Sequence, residues 1–312
     1  MILALAGGVG GAKLADGLAR KLTPAELAIA VNTGDDFEHL GLRISPDLDT
    51  VMYTLAGIAN PATGWGQAGE TWAFMEAAQR LGAPAWFRLG DRDLATHVER
   101  TRRLRDGESL SSVTRGLCER LGVRHALIPM SDDPVPTRVR TDDAWLDFQH
   151  YFVREQCHPI LREVRYEGAE RARPAAELTR TLGSAELEGI VICPSNPYLS
   201  VAPILALPGV RNSVGSARAV VAVSPIVGGE AVKGPAAKIM RELGVEVSAL
   251  GIARWYAGLA GTLVVDHADA GLAPAIEALG LKAAVTSTVM NSSEDRARLA
   301  GECVALVRSA SR

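Results

Sequence analysis

The chain has 312 residues, 33 Lys and Arg against 36 Asp and Glu, a net charge of −3 and 47% hydrophobic residues. This is the composition of an ordinary soluble globular protein with a large core, and it argues against a general nucleic-acid or anionic-membrane binder. No apolar run reaches the ~20 residues of a membrane span, and Cys118, Cys157, Cys193 and Cys303 form no CxxC pair or metal-ligand spacing, which points to reduced thiols and a cytoplasmic setting.

The start lacks a basic leader and reads as a first strand over 2–6 rather than a signal peptide. Gly7-Gly8-Val9-Gly10-Gly11-Ala12-Lys13 follows, and then Leu14, Leu18 and Leu22 at helical spacing. This is strand, glycine loop, helix. Glycines let the backbone approach a ligand, and a helix N-terminus offers N–H groups to an anion. Gly8, Gly10, Gly11 and Lys13 are therefore the phosphate candidates. The loop is neither a Walker A sequence nor a clean GxGxxG, and a plain tight turn would also want glycine.

A second buried strand is expected over 27–31. Beyond it, residues 32–50 carry five carboxylates: Asp35, Asp36, Glu38, Asp47 and Asp49. In an open parallel sheet, ligands sit past the carboxyl ends of the strands. Oxygen donors at this density suit a hard cation such as Mg²⁺ beside phosphates. Gly34, Gly41 and Pro46 shape the loop. A solvated acidic loop is the bland alternative, and for Asp47 alone a helix-capping role is preferred.

Helices are expected over 48–58, 70–81, 94–105 and 110–121. The third is basic (Arg100, Arg102, Arg103, Arg105) and reads as a solvated face. Residues 84–89 read as a strand ending in a polar run at 90–93. Arg88 within it is an edge-strand charge, a bidentate anion contact or a ring-stacking group. After a strand over 125–130 the alternation breaks. Residues 135–140 and 145–152 read as antiparallel strands, with Trp145, Phe148, Tyr151 and Phe152 as local packing, and about 134–173 as an inserted cap.

Alternation resumes with helix 175–182 and strand 189–193, then a polar loop in which Ser195 and Asn196 could hold a phosphate or base. Strand 219–223 leads into a second glycine loop carrying Lys233. Helices 236–243 and 247–257, strand 262–265, helix 272–279, strand 282–286 and helix 294–308 complete the chain. His267 is a lone histidine and is read as structural. The whole is expected to be a single α/β domain over 1–312, doubly wound and Rossmann-like, with a mostly parallel sheet and a small inserted α+β cap. Glycine loops, clustered acids and Asn/Ser loops past successive strands describe a pocket for a phosphorylated ligand with a metal, and a nucleotide diphosphate fits best. A redox dinucleotide site is the weaker alternative, because that position normally carries one ribose-binding acid.

At these residues the chain resembles the 2-phospho-L-lactate transferase family of coenzyme F420 biosynthesis. The resemblance rests on Ala6 to Lys13, Asn32 to Asp36 with Asp47 to Thr50, Trp86 to Asp93, Pro194 to Pro197, and Ser224 to Ile226 with Gly228 to Glu230 and Lys233 to Pro235. It implies that the ribityl hydroxyl of the deazaflavin Fo attacks a guanosine diphosphate-linked three-carbon acid, that GMP leaves, and that Mg²⁺ is required. It also implies that Asp49 and Arg88 contact Fo. Asp35, Asp36 and Asp49 would bind metal and activate the hydroxyl, while the glycine loop, Lys13, Ser195 and Asn196 serve the nucleotide. The donor acid (phospholactyl, phosphoenolpyruvyl or phosphoglyceryl) stays open, as does the oligomeric state, a homodimer included. The alternative is a non-enzymatic, nucleotide-sugar-binding regulator of the gluconeogenesis-factor type. An Asp49→Asn change is expected to abolish turnover and largely spare the fold.

Overall fold

A computed structural model describes residues 1–232 and 234–310; Lys233 of the second glycine loop lies outside the described residues. The strands in chain order are β1 (Ile2–Ala6), β2 (Leu27–Val31), β3 (Phe37–His39), β4 (Leu42–Ile44), β5 (Ala126–Pro129), β6 (Thr137–Arg140) and β7 (Trp145–Asp147). They continue with β8 (Glu163–Tyr166), β9 (Gly189–Ile192), β10 (Val220–Val223), β11 (Ile226–Val227), β12 (Glu230–Ala231), β13 (Thr262–Val265) and β14 (Lys282–Val285). Seven of these short runs pair in parallel, in the order β14-β13-β10-β9-β1-β2-β5. A parallel sheet needs helices on both faces, so its inner strands are apolar throughout rather than alternating. β1, β2, β9, β10 and β13 are buried at every residue.

Successive residues of a strand still point to opposite faces, and β1 divides between two cores accordingly. Leu3 and Leu5 join a core with Ile204, Ile252 and Tyr256. Ile2, Ala4 and Ala6 join another with Leu14 and Leu18 of α1 (Gly8–Lys21), Val51 of α2 (Pro46–Leu55), and Leu299 and Cys303 of the helix Ser293–Ala310. The result is a doubly wound, Rossmann-like α/β fold. From β1 the order runs one way through β2 and β5, and the other way from β9 through β14. The reversal lies between β1 and β9. Among the described residues no helix is long and apolar enough to cross a membrane.

Three expectations change. Residues 84–89 form no strand. Leu89 is buried beside Ile44 and Leu94, and the Phe87 ring meets Phe37 edge-on at 4.8 Å. A short apolar run carries no label saying whether it pairs or packs. The helix expected from 70 begins as α3 at Ala73 (Ala73–Arg80), because Glu70 serves another element. Its carboxylate accepts the N–H groups of Arg92 and Asp93, each at 2.8 Å, and so starts α4 (Asp91–Arg105) earlier than expected. The acidic stretch contains the hairpin β3–β4, with Glu38 opposite Arg43. The expected antiparallel pair is present as β6 and β7, but β7 stops at Asp147 and His150–Arg154 coils into a helical turn instead of continuing the strand; β8 adds a third strand.

Candidate active site

The reversal of strand order opens into a cavity of about 670 Å³, the place where open α/β sheets bind ligands. Its lining includes Gly8, Gly10, Lys13, Ser195 and Asn196, together with Asp35, Asp47, Asp49 and Arg88. Asp36 and Gly11, also expected there, lie behind the wall. A Cβ on Gly11 would sit 2.6 Å from Ser195 Oγ, so this glycine is needed for packing.

The turn from β1 into α1 is wedged shut on three sides. The Gly7 N–H donates to Ser195 Oγ at 3.1 Å, and the Ser195 hydroxyl donates to Gly7 O at 2.9 Å. The Gly8 N–H donates to Asp47 Oδ1 at 2.8 Å. A Cβ on Gly10 would lie 2.3 Å from the Pro194 carbonyl oxygen. With the Gly8 N–H given to Asp47, the start of α1 at the cavity wall keeps the N–H groups of Val9 and Gly10 for an anion. Lys13 Nζ donates to the Met290 carbonyl at 2.7 Å, tying α1 to the loop before the last helix. Asn196 Oδ1 accepts from the N–H groups of Tyr198 and Leu199 at 3.0 and 3.2 Å, while its Nδ2 is buried with no partner among the described residues.

The acids are placed by Asn32, which is fully buried. Its Nδ2 donates to Asp35 Oδ1 at 3.2 Å and to Asp47 Oδ2 at 2.9 Å, so one amide brings both carboxylates together. Burial pushes the Asp35 carboxyl well above the ordinary range, and the nearby Asp47 adds to the shift. Burial likewise raises Asp47 to about 6 and Asp36 to about 8. Ser45 donates to Asp36 Oδ2 at 2.7 Å, and Asp36 Oδ1 is buried without a partner among the described residues. Ionised carboxylates held out of water want a cation, and these are the hard oxygen donors a divalent ion takes. Asp35 and Asp47 thus fit such an ion at the cavity wall, with Asp36 behind them. Asp47 does not cap its own helix, as expected from sequence; it holds the start of α1.

This predicts a pH dependence. The ordinary Asp value is 3.8, and the folded values of about 6 and about 8 lie above it. The folded chain then binds more protons than the unfolded one, so stability falls as pH rises from 3.8 through 8. A cation on these carboxylates competes with those protons. The rise in melting temperature given by excess Mg²⁺ is expected to be several degrees larger at about pH 8.5 than at about pH 5.5. Equal shifts at both pH values would detach the ion from these residues.

Asp49 has a different partner. Arg100 of α4 is 1% exposed and grips both Asp49 oxygens, through Nη1 on Oδ2 at 3.0 Å and through Nη2 on Oδ1. His97 Nδ1 lies 3.6 Å from Asp49 Oδ2, and its Nε2 lies 3.3 Å from Asp93 Oδ1. The Tyr53 hydroxyl donates to Asp93 Oδ1 at 2.6 Å. Burial opposes ionisation of Asp93, but the hydrogen bond and charge of His97, with Tyr53 and Arg100, hold its pKa below the usual value. Ligand atoms of Asp49, Asp93 and His97 lie within 4.8 Å of one another and form a second set able to hold a metal. The guanidinium on Asp49 opposes a further cation there, so the Asp35–Asp47 pair is the better fit. Arg88 lies 4.2 Å over the Trp72 ring, a ring-stacking role rather than an edge-strand one. The stacked pair Phe148 and Phe152, 5.4 Å apart, lines the cavity, which local packing alone did not predict.

A family model described as 2-phospho-L-lactate transferase CofD matches residues 2–301. The chain belongs to this family. A phosphoenolpyruvate transferase of Streptomyces griseus subsp. griseus is 41% identical, covering 98% of both chains. A phosphoenolpyruvate transferase of Kitasatospora aureofaciens is 42% identical, covering 98% of this chain and 97% of its own. A 2-phospho-L-lactate transferase of Methanosarcina mazei is 38% identical, covering 96% of this chain and 98% of its own. A crystal structure of a UPF0052-family protein from Bacillus halodurans shares the fold, with a TM-score of 0.61 at 15% identity over 97% of this chain and 98% of that one. The family carries the transferase role in coenzyme F420 biosynthesis that the sequence motifs implied, and the non-enzymatic regulator is not favoured.

Within this CofD-family chain, sequence reasoning missed Asn32, Tyr53, Asp93, His97 and Arg100. Part of the signal was present. Asp93, His97 and Arg100 stand at i, i+4 and i+7, one face of a helix. What the spacing does not tell is that this face meets α2 rather than water.

Proposed function

We propose that this CofD-family chain transfers a phospho-three-carbon-acid group from a guanosine diphosphate-linked donor to Fo, as a phosphotransferase of the substituted-phosphate class. The Fo ribityl oxygen forms a bond to the acid-bearing phosphorus, the anhydride bond to the guanylyl phosphate breaks, and GMP leaves with the electron pair. The hydroxyl proton goes to a carboxylate, and Asp49 is the one assigned to it. Gly8 and Gly10 at the start of α1, with Lys13, Ser195 and Asn196, serve the nucleotide, and Gly11 keeps the turn tight enough to do so. Asp49 and Arg88 face the deazaflavin.

One observation carries this reading: a helix N-terminus and the paired acids Asp35 and Asp47 line the same cavity at the reversal of the sheet. Mg²⁺ held by Asp35 and Asp47, with Asp36 behind, would neutralise charge on the diphosphate and on the departing GMP. The residues supply alignment, as phosphoryl-type transfers demand. Phosphoenolpyruvyl is the first donor to test, since the Streptomyces griseus and Kitasatospora aureofaciens relatives bear that name.

Incubation with Fo, Mg²⁺ and each of the three donors, with GMP measured, tests the proposal. GMP release with a matching mass gain on Fo is expected. Nucleotide binding without GMP from any donor would overturn it in favour of a regulator.

A further inference from the structure

We propose that Arg100 is a positioning residue that fixes the plane of the Asp49 carboxylate at the cavity wall. This rests on the reading above, in which Asp49 faces the acceptor hydroxyl.

Asp49 lines the cavity; Arg100 sits behind it, 1% exposed. A buried guanidinium is stable only when paired with good geometry. Arg100 spends both outer nitrogens on the two oxygens of Asp49, and Nη1 also lies 3.2 Å from His97 Nδ1. A bidentate fork sets rotation as well as position, because two parallel N–H donors fix the carboxylate plane. A lysine would keep the charge and lose that plane.

The fork does not act alone. Asp49 and Tyr53 lie one turn apart on α2, and Arg100 and Asp93 lie two turns apart on α4. Asp49 meets Arg100, and the Tyr53 hydroxyl donates to Asp93, so two polar rungs join the helices. His97 sits between them, within 3.6 Å of Asp49 and 3.3 Å of Asp93. The two rungs hold α2 and α4 in register. Asp49 therefore has one orientation rather than several, and a hydroxyl placed against it meets a fixed acceptor.

Three variants test this. Arg100→Lys is expected to lower kcat by about 10²-fold, the scale of a small misplacement of a reacting group. The KM for the donor should stay within about twofold, since the nucleotide side of the cavity does not touch Arg100. Arg100→Gln is expected to lower the melting temperature, because it leaves Asp49 buried without its cation. The double variant Asp49→Asn with Arg100→Gln removes both charges; it should recover most of that stability and none of the turnover. Wild-type kcat in Arg100→Lys, or a loss confined to donor KM, would overturn the proposal. So would a double variant no more stable than Arg100→Gln. GMP release by the unaltered protein is the control. If it is absent the transferase reading fails, and the melting-temperature cycle still decides whether Arg100 acts through Asp49.

Discussion

Asp49→Asn is expected to reduce GMP release by about 10²–10⁴-fold, the range for removing a positioned general base, and to lower the melting temperature too. The first effect follows from Asp49 being assigned the proton of the attacking hydroxyl. The second follows from burial. Asp49 and Arg100 are 5% and 1% exposed, and removing one partner of a buried ion pair typically costs about 3–5 kcal/mol. From sequence the same change was expected to spare the fold, because nothing in the chain marks Asp49 as buried against an arginine. Turnover assays beside thermal melts separate the two effects. Normal turnover would remove Asp49 from the mechanism, and an unchanged melt would show that Arg100 does not depend on it.

Gly10→Ala is expected to cost more than Gly8→Ala, although both lie in one turn. A Cβ on Gly10 would sit 2.3 Å from the Pro194 carbonyl oxygen, a backbone atom that moves only if the β9 loop moves. Overpacking of that kind costs about 1–3 kcal/mol or more, and it would pry apart the seam where β1 and β9 deliver their loops. Gly8 has nothing within 4 Å of its Cβ position but holds φ +62, which an alanine can adopt only with strain of about 1–2 kcal/mol. Gly10→Ala should thus show the larger fall in melting temperature and the larger loss of GDP affinity. The reverse order would mean that the turn is not sealed against Pro194.

The contrast between these two glycines shows what the sequence made legible. Strand, glycine turn and helix were readable at residues 2–22, because apolar runs, glycines and leucine spacing are local signals. The same holds for the sheet. Its inner strands are short, wholly apolar and bounded by turn residues, so the parallel α/β class followed from the chain alone. Pairings between distant residues were not readable. Asp49 and Arg100 are 51 residues apart, and the basic residues of α4 looked like a solvated face. Arg102 and Arg105 are indeed exposed, whereas Arg100 turns inward. Asp47 looked like a helix cap because such caps are common, yet its oxygen reaches back 39 residues to the Gly8 N–H. Arg88 sat in a run that read as a strand, and only the fold places it over Trp72 and beside the cavity.

The most direct test of the whole account is a crystal structure with Fo, GDP and Mg²⁺ bound together. The diphosphate is expected against the N–H groups of Val9 and Gly10, with the ion on Asp35 and Asp47 and the Fo ribityl hydroxyl within hydrogen-bond reach of Asp49. GDP bound away from the start of α1, or Fo seated with its hydroxyl turned from Asp49, would contradict it.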